Sequence, residues 1–394
     1  MPESEIDGQD GSTSEASTEP NPGTIPKRDY FLLPLLSLLT VLVMFGAAEI
    51  LTRVIWAQQE HNYCGVPDAV GGGAHIMPNC TTRMKNAEGP WATYRYNDCG
   101  YRSETSCGPK PPGAIRIVTI GSSVSMGIDV PYEQAYFAQA ASELSRVCHR
   151  PVDVQNLGGP GVSPLFTYHK VDEALRLKPD VLLFPFSPTD IEGQIDPMEL
   201  AERNDPTHVT PRGAVQITLS PMRRLQTMLV DSRTVVVAQH FLLQNKDLYL
   251  RLYMNYGDKA DFLRQPLTPA WQQRFADMNV IISDISRKSR AAGVPLIVIP
   301  VPSRAEAAWL SSPQLPPHVD PFAFGRQVEQ MVSDDGADYV DMMKPFSRIP
   351  NAEKLFFVVD GHLTADGQGV IAQNLVHKLL DGSIPAFLSC DREN

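Results

Sequence analysis

The segment Gly121-Ser122-Ser123-Val124-Ser125-Met126-Gly127 follows the short apolar run Ile115 to Ile120 and precedes a helix-like stretch. A strand that ends in a small-residue turn and feeds a helix can present a nucleophile. The glycines let the backbone turn tightly, and the helix N-terminus aims amide N–H groups at whatever binds there. A plain turn with a serine N-cap has the same pattern. A serine hydroxyl is a poor nucleophile until a base takes its proton, and a histidine oriented by a carboxylate supplies that base. Near the far end stands Val359-Asp360-Gly361-His362, in a loop just before the last helix. Ser123, His362 and Asp360 are therefore the candidate nucleophile, base and orienting acid.

Two further segments carry groups of the right kind. Asn156-Leu157-Gly158-Gly159-Pro160-Gly161 exposes backbone N–H groups of the sort that hold an oxyanion, and Ser187-Pro188-Thr189-Asp190 follows another apolar run. Each is an ordinary turn by itself. All of these segments fall where strands should end.

The elements that must position them alternate. Strands are expected at Arg116 to Ile120, Val152 to Asn156, Val181 to Phe186, Val294 to Pro300 and Tyr339 to Asp341. Helices are expected at Glu133 to Cys148, Leu165 to Leu177, Trp271 to Ala291, Phe322 to Ser333 and Thr364 to Leu380. This rhythm implies an α/β fold, a three-layer sandwich whose mostly parallel sheet is covered on both faces, over residues 114–385. Ligands then bind at the carboxyl ends of the strands, where Ser123 falls. Residues 191–269 interrupt the rhythm with an expected helix near Pro221 to Leu229 and a longer one between Thr234 and Tyr256. That insertion reads as a lid or substrate platform, a packing subdomain, or a helix lying on a membrane.

Residues 1–29 read as a disordered tail of Ser, Thr, Glu, Pro and Gly. Residues 30–56 read as one transmembrane helix; its uncharged part, Tyr30 to Ala48, is close to the length a bilayer requires. A signal peptide cut at Gly46-Ala47-Ala48 is the alternative, but the long leader and long apolar stretch favour an uncleaved anchor. Lys27 and Arg28 before the span place the N-terminus in the cytoplasm and the bulk of the chain in the periplasm or outside the cell. All six cysteines follow the span, as disulfides in an exported domain would. The expected pairs are Cys64 with Cys80, Cys99 with Cys107 and Cys148 with Cys390, and zinc is disfavoured because no C-x-x-C spacing occurs. Residues 57–113 read as an irregular loop region stapled by these bonds, and 386–394 as a C-terminal tail. A net charge of −11 over 394 residues argues against nucleic-acid binding. No metal, nucleotide or flavin motif stands out, so no cofactor is expected.

The order and spacing of these blocks resemble the SGNH, or GDSL-type, hydrolases, over roughly Tyr94 to Leu380. Gly121-Ser122-Ser123 with Gly127 matches that family's first block, Asn156-Leu157-Gly158 its second, and Asp360 with His362 its last. Tyr96 to Arg102 and Lys178-Pro179-Asp180 fit the flanking text. The resemblance implies that Ser123 is the nucleophile, His362 the base and Asp360 its orienting acid. It also implies an oxyanion hole of the Ser123 and Gly158 amides, with Thr189 in the third position. Three departures stand out: Ser122 replaces the acid before the serine, Thr189 replaces an asparagine, and one residue rather than two separates Asp360 from His362. The expected activity is a membrane-anchored serine esterase acting outside the cytoplasm on O-acyl groups of a glycan or lipid. An acyltransferase on a surface polysaccharide, or a catalytically weak binding protein, is the alternative.

Overall fold

A computed structural model describes residues 26–56, 63–67, 74–86, 88–193, 195–201, 203–204 and 232–390. The described residues fall into two units that meet at Leu51–Thr52 in the chain. The first is dominated by the helix Asp29–Ile55, of 27 residues. At 1.5 Å per residue it is about 40 Å long, more than a bilayer's hydrocarbon core. Its mean hydropathy reaches 2.4 and none of it is buried within the protein, so by length and composition it can cross a membrane.

The second unit is built on a five-stranded, wholly parallel sheet. Its strands are β5 (Ile115–Thr119), β6 (Val152–Asn156), β7 (Val181–Phe186), β8 (Leu296–Pro300) and β9 (Asp338–Tyr339), in the order β6-β5-β7-β8-β9. Sheets of this kind are covered on both faces, which is why β5, β7 and β8 are buried at every residue and read as unbroken apolar runs. Arg116 and Thr119 of β5 are polar exceptions, and Pro185 of β7 lacks an N–H. Arg116 of β5 lies beside Asp153 of β6 and pairs with it at 2.5 Å, both side chains being about 2 % exposed. Pro185 lies in the central strand β7. Leu183, two residues earlier, accepts from the Ile120 N–H, so Pro185 also turns its backbone nitrogen toward β5, whose chain has by then left the sheet. Its missing N–H is tolerated there.

Helices Tyr136–Cys148 and Ala365–Leu379 pack together on one face, and Pro269–Ala291 packs with Ala323–Asp334 on the other. The expected helix at Leu165 to Leu177 divides at Lys170 into Pro164–His169 and Val171–Arg176. The long helix expected between Thr234 and Tyr256 also divides, into Arg233–Leu243 and Lys246–Met254, because Asn245 turns its side chain onto the Leu248 amide as an N-cap. The helix expected near Pro221 to Leu229, the tail at 1–25 and residues 391–394 lie outside the described residues.

The cysteine region departs most from expectation. It holds two antiparallel ribbons, β1 (Gly65–Pro67) with β2 (Ala74–Ile76) and β3 (Thr81–Lys85) with β4 (Trp91–Arg95). Met84, Ala92 and Tyr94 of the second ribbon point inward and cover Met126, just after Ser123. Five-residue strands between Asn, Gly and Cys carry too little alternation to stand out in sequence. All three disulfides form with the expected pairing. Cys148–Cys390 closes 242 residues and ties the chain's end to the helix on β6. Replacing both of these cysteines with serine is expected to lower the stability of the folded chain by about 2–5 kcal/mol, read as a lower denaturant midpoint under non-reducing conditions.

Candidate active site

Strand β5 ends at Thr119, and the chain turns out of the sheet at Gly121, whose φ of 141° few other residues adopt. A side chain there would also sit 2.7 Å from Ser125 Cβ and 2.9 Å from the Pro185 carbonyl oxygen. One short helical turn, Ser123–Met126, follows, with the Ser122 hydroxyl accepting from the Val124 amide. This turn is gripped from both ends. Below it, the Ser125 hydroxyl meets Thr119 Oγ1 at 2.8 Å and donates to the Ile120 carbonyl. Beyond it, the fully buried Arg102 guanidinium donates to the carbonyls of Met126, Gly127 and Val130 at 2.6–2.8 Å while lying 4.4 Å over the Tyr94 ring. Ser123 thus stands at the carboxyl edge of the sheet between β6 and β7, where the strand order reverses, on a turn with little freedom to move.

The loop before helix Ala365–Leu379 reaches the same edge. His362 Nε2 lies 2.8 Å from Ser123 Oγ, and His362 Nδ1 lies 2.6 Å from Asp360 Oδ1. One intervening residue suffices because the loop closes on itself: the Phe357 amide donates to the His362 carbonyl and the Gly361 amide to the Phe357 carbonyl. The loop is also held from outside. Glu88, in the turn between β3 and β4, accepts from the Val359 and Asp360 amides through Oε2 at 2.7 and 2.9 Å. Its Oε1 meets His240 Nδ1 at 2.5 Å.

Negative charge surrounds the imidazole. Burial works against the charged ring, but Asp360, Asp129 and Asp190 outweigh it and hold the His362 pKa above its ordinary value. Burial likewise disfavours the Asp360 carboxylate, and the hydrogen bonds from His362 overcome it and hold Asp360 below the usual range. Asp190 is pushed up by burial, against the bonds it accepts from Ser122 and Ser187. The carboxylate oxygens of Asp129 and Asp360 and the His362 ring nitrogen lie within 4.8 Å of one another.

Of the remaining candidate groups, two are engaged in internal bonds. The Ser123 amide, first in its turn, has no acceptor within the helix. The Gly158 amide, however, donates to Asn156 Oδ1 at 2.8 Å, and Asn156 Nδ2 donates to the Ser125 carbonyl. Glycine is required at 158 because a Cβ would lie 2.7 Å from Met126 N. Thr189 is exposed and its hydroxyl meets Ser187 Oγ at 2.6 Å. Gly158 also lines a cavity of about 500 Å³ with Tyr63, Ile76, Tyr101, Phe166 and Lys170.

Sequence reasoning missed Asn86, Glu88, Asp129 and His240. Asp129 had a faint signal, a lone acid between Ile128 and Val130 beside the serine motif. Glu88 had none, since an acid in a Gly-Pro turn normally faces water.

No protein-family model and no curated protein sequence matches the chain. Solved structures similar to it include a lipase/acylhydrolase from Enterococcus faecalis, at 11% identity and a TM-score of 0.38, covering 67% of this chain and 95% of that one. An acetyl xylan esterase from Geobacillus stearothermophilus aligns at 13% identity, TM-score 0.36, over 67% and 94% of the two chains. A member of the lipolytic G-D-S-L family from Veillonella parvula aligns at 11% identity, TM-score 0.35, over 67% and 97%. The reading of the site rests on this chain's own geometry. That geometry makes Glu88 the anchor of the histidine loop. Glu88→Gln, which keeps the shape and loses the charge, is expected to destabilise the fold by about 1.5–3 kcal/mol, measured by chemical denaturation.

Proposed function

We propose that this chain is a serine esterase that cleaves acyl esters. The observation that carries the reading is the continuous relay Asp360–His362–Ser123, with bonds of 2.6 and 2.8 Å. Ser123 Oγ attacks the ester carbonyl carbon while His362 Nε2 takes its proton. Asp360 keeps the other ring nitrogen protonated and offsets the charge of the imidazolium. The carbonyl oxygen becomes an oxyanion beside the Ser123 amide, with Gly158 joining when its bond to Asn156 opens or is shared. The intermediate collapses, His362 protonates the departing alkoxide, and an acyl-Ser123 ester remains. Water, deprotonated by His362, then attacks that ester, releasing the acid and restoring the serine.

O-acyl groups on a glycan fit the neighbouring cavity. Tyr63, Tyr101 and Phe166 offer aromatic faces there, while Glu173 holds the Tyr101 hydroxyl at 2.6 Å and Lys170 at 3.0 Å. A pocket that mixes flat apolar faces with fixed polar groups suits a sugar ring. The apolar helix Asp29–Ile55 serves as the membrane anchor, with its N-terminus in the cytoplasm. Three disulfides in the remainder support a domain that works outside the cytoplasm.

Ser123→Ala and His362→Ala are expected to abolish hydrolysis of p-nitrophenyl acetate, a loss on the order of 10⁶-fold for a triad at full strength. Ser123→Ala is also expected to remove labelling by a fluorophosphonate probe; labelling that persists overturns the reading. The base works only as neutral imidazole, and its pKa is raised. The rate is therefore expected to fall as pH drops, with the midpoint of kcat/KM above the ordinary histidine value of about 6.5.

A further inference from the structure

His362 Nδ1 faces two carboxylates: Asp360 Oδ1 at 2.6 Å and Asp129 Oδ2 at 3.7 Å. Asp129 is 7% exposed, has a left-handed backbone, φ 66°, of the kind aspartate tolerates in turns, and its surroundings hold it in place. Two residues of the β3–β4 ribbon do so. Its amide donates to the Tyr94 hydroxyl at 2.8 Å, and its carboxylate accepts from Asn86 Nδ2 at 2.8 Å. Among the described residues its one ion-pair partner is His362. The titratable groups that face it are Asp360 and His362 from the histidine loop and Tyr63 and Tyr94 from the cysteine region. Asp190 faces the same imidazole.

The carboxylates of Asp129 and Asp360 thus converge on one ring nitrogen, with oxygens within 4.8 Å of each other. Two carboxyl groups this close favour holding one proton between them, because two bare charges there repel. Asp360 already accepts from the imidazole, so the proton belongs on Asp129. Burial, then the charge of Asp360, push Asp129 up to about 6, against the pull of His362 and Asn86.

Resting on the esterase reading, we propose that Asp129 is a positioning residue that shares one proton with Asp360. As a neutral acid it donates to the Asp360 carboxylate and steadies it against the imidazole; once ionised, it is a second negative charge that binds the imidazole's proton more tightly. The site then responds to pH in two linked steps that belong to the group of three rather than to one residue.

The test uses the full chain in detergent micelles, labelled with ring-¹³C histidine, with the His362 signals identified by their loss in His362→Gln. The wild-type signals are expected to show a secondary inflection near pH 6 besides the ring's own titration. Asp129→Asn, which keeps a donor toward Asp360 but cannot ionise, is expected to erase it, along with any matching step in kcat/KM for p-nitrophenyl acetate. Asn86→Ala removes an amide that favours the ionised form and is expected to move the inflection to higher pH. An inflection that survives Asp129→Asn, or is absent from the wild type, overturns the proposal. Should Asp129→Asn fail to fold, the Asn86→Ala shift decides, and no shift overturns it. The titration needs no substrate. A chain that titrates as expected yet cleaves no acyl ester keeps the shared proton and loses the esterase.

Discussion

A single hydrogen bond between Ser123 Oγ and His362 Nε2 joins residues 239 positions apart and turns two separate loops into one connected site. Each partner sits on a short backbone element with little intrinsic stability, one turn of helix on one side and a loop on the other. Neither would hold its place to within a few tenths of an ångström unaided. What fixes the distance is the set of contacts behind each element.

On the serine side those contacts come from the sheet and from Arg102. Burying a guanidinium is expensive unless its protons find acceptors. Arg102 finds them in the carbonyls of Met126, Gly127 and Val130, the end of the turn that carries the serine. On the histidine side they come from Glu88, whose carboxylate gathers two loop amides. Arg102 and Glu88 both belong to the stretch before the first sheet strand. The stretch before β5 therefore braces both Ser123 and His362 and contributes Asn86 and Tyr94 around Asp129.

The oxyanion side is less complete. The Gly158 amide is engaged by Asn156 and the Thr189 hydroxyl by Ser187, so the ground-state structure holds these donors in internal bonds. Losing one oxyanion donor costs about 2.7–4 kcal/mol of transition-state stabilisation.

Much of the architecture was legible from local pattern, for a physical reason. A strand covered on both faces is mostly apolar, so Val181 to Phe186 and Val294 to Pro300 announce themselves, and the helices between them follow. Ser123, Asp360 and His362 stood out because their residue types and turn settings are unusual together, and the structure brings their side chains within hydrogen-bond reach. The disulfide partners followed from order along the chain. The brace was not legible, because its meaning is not local. Glu88 in a Gly-Pro turn looks like a solvated acid, and only the packing of the β3–β4 ribbon against the histidine loop makes it an anchor. Asp129 likewise becomes a partner of Asp360 only when two distant loops bring their carboxyl groups together. Residue chemistry and periodicity are written in the chain; the distances that turn chemistry into a relay arise only when elements far apart in sequence compete for the same buried space.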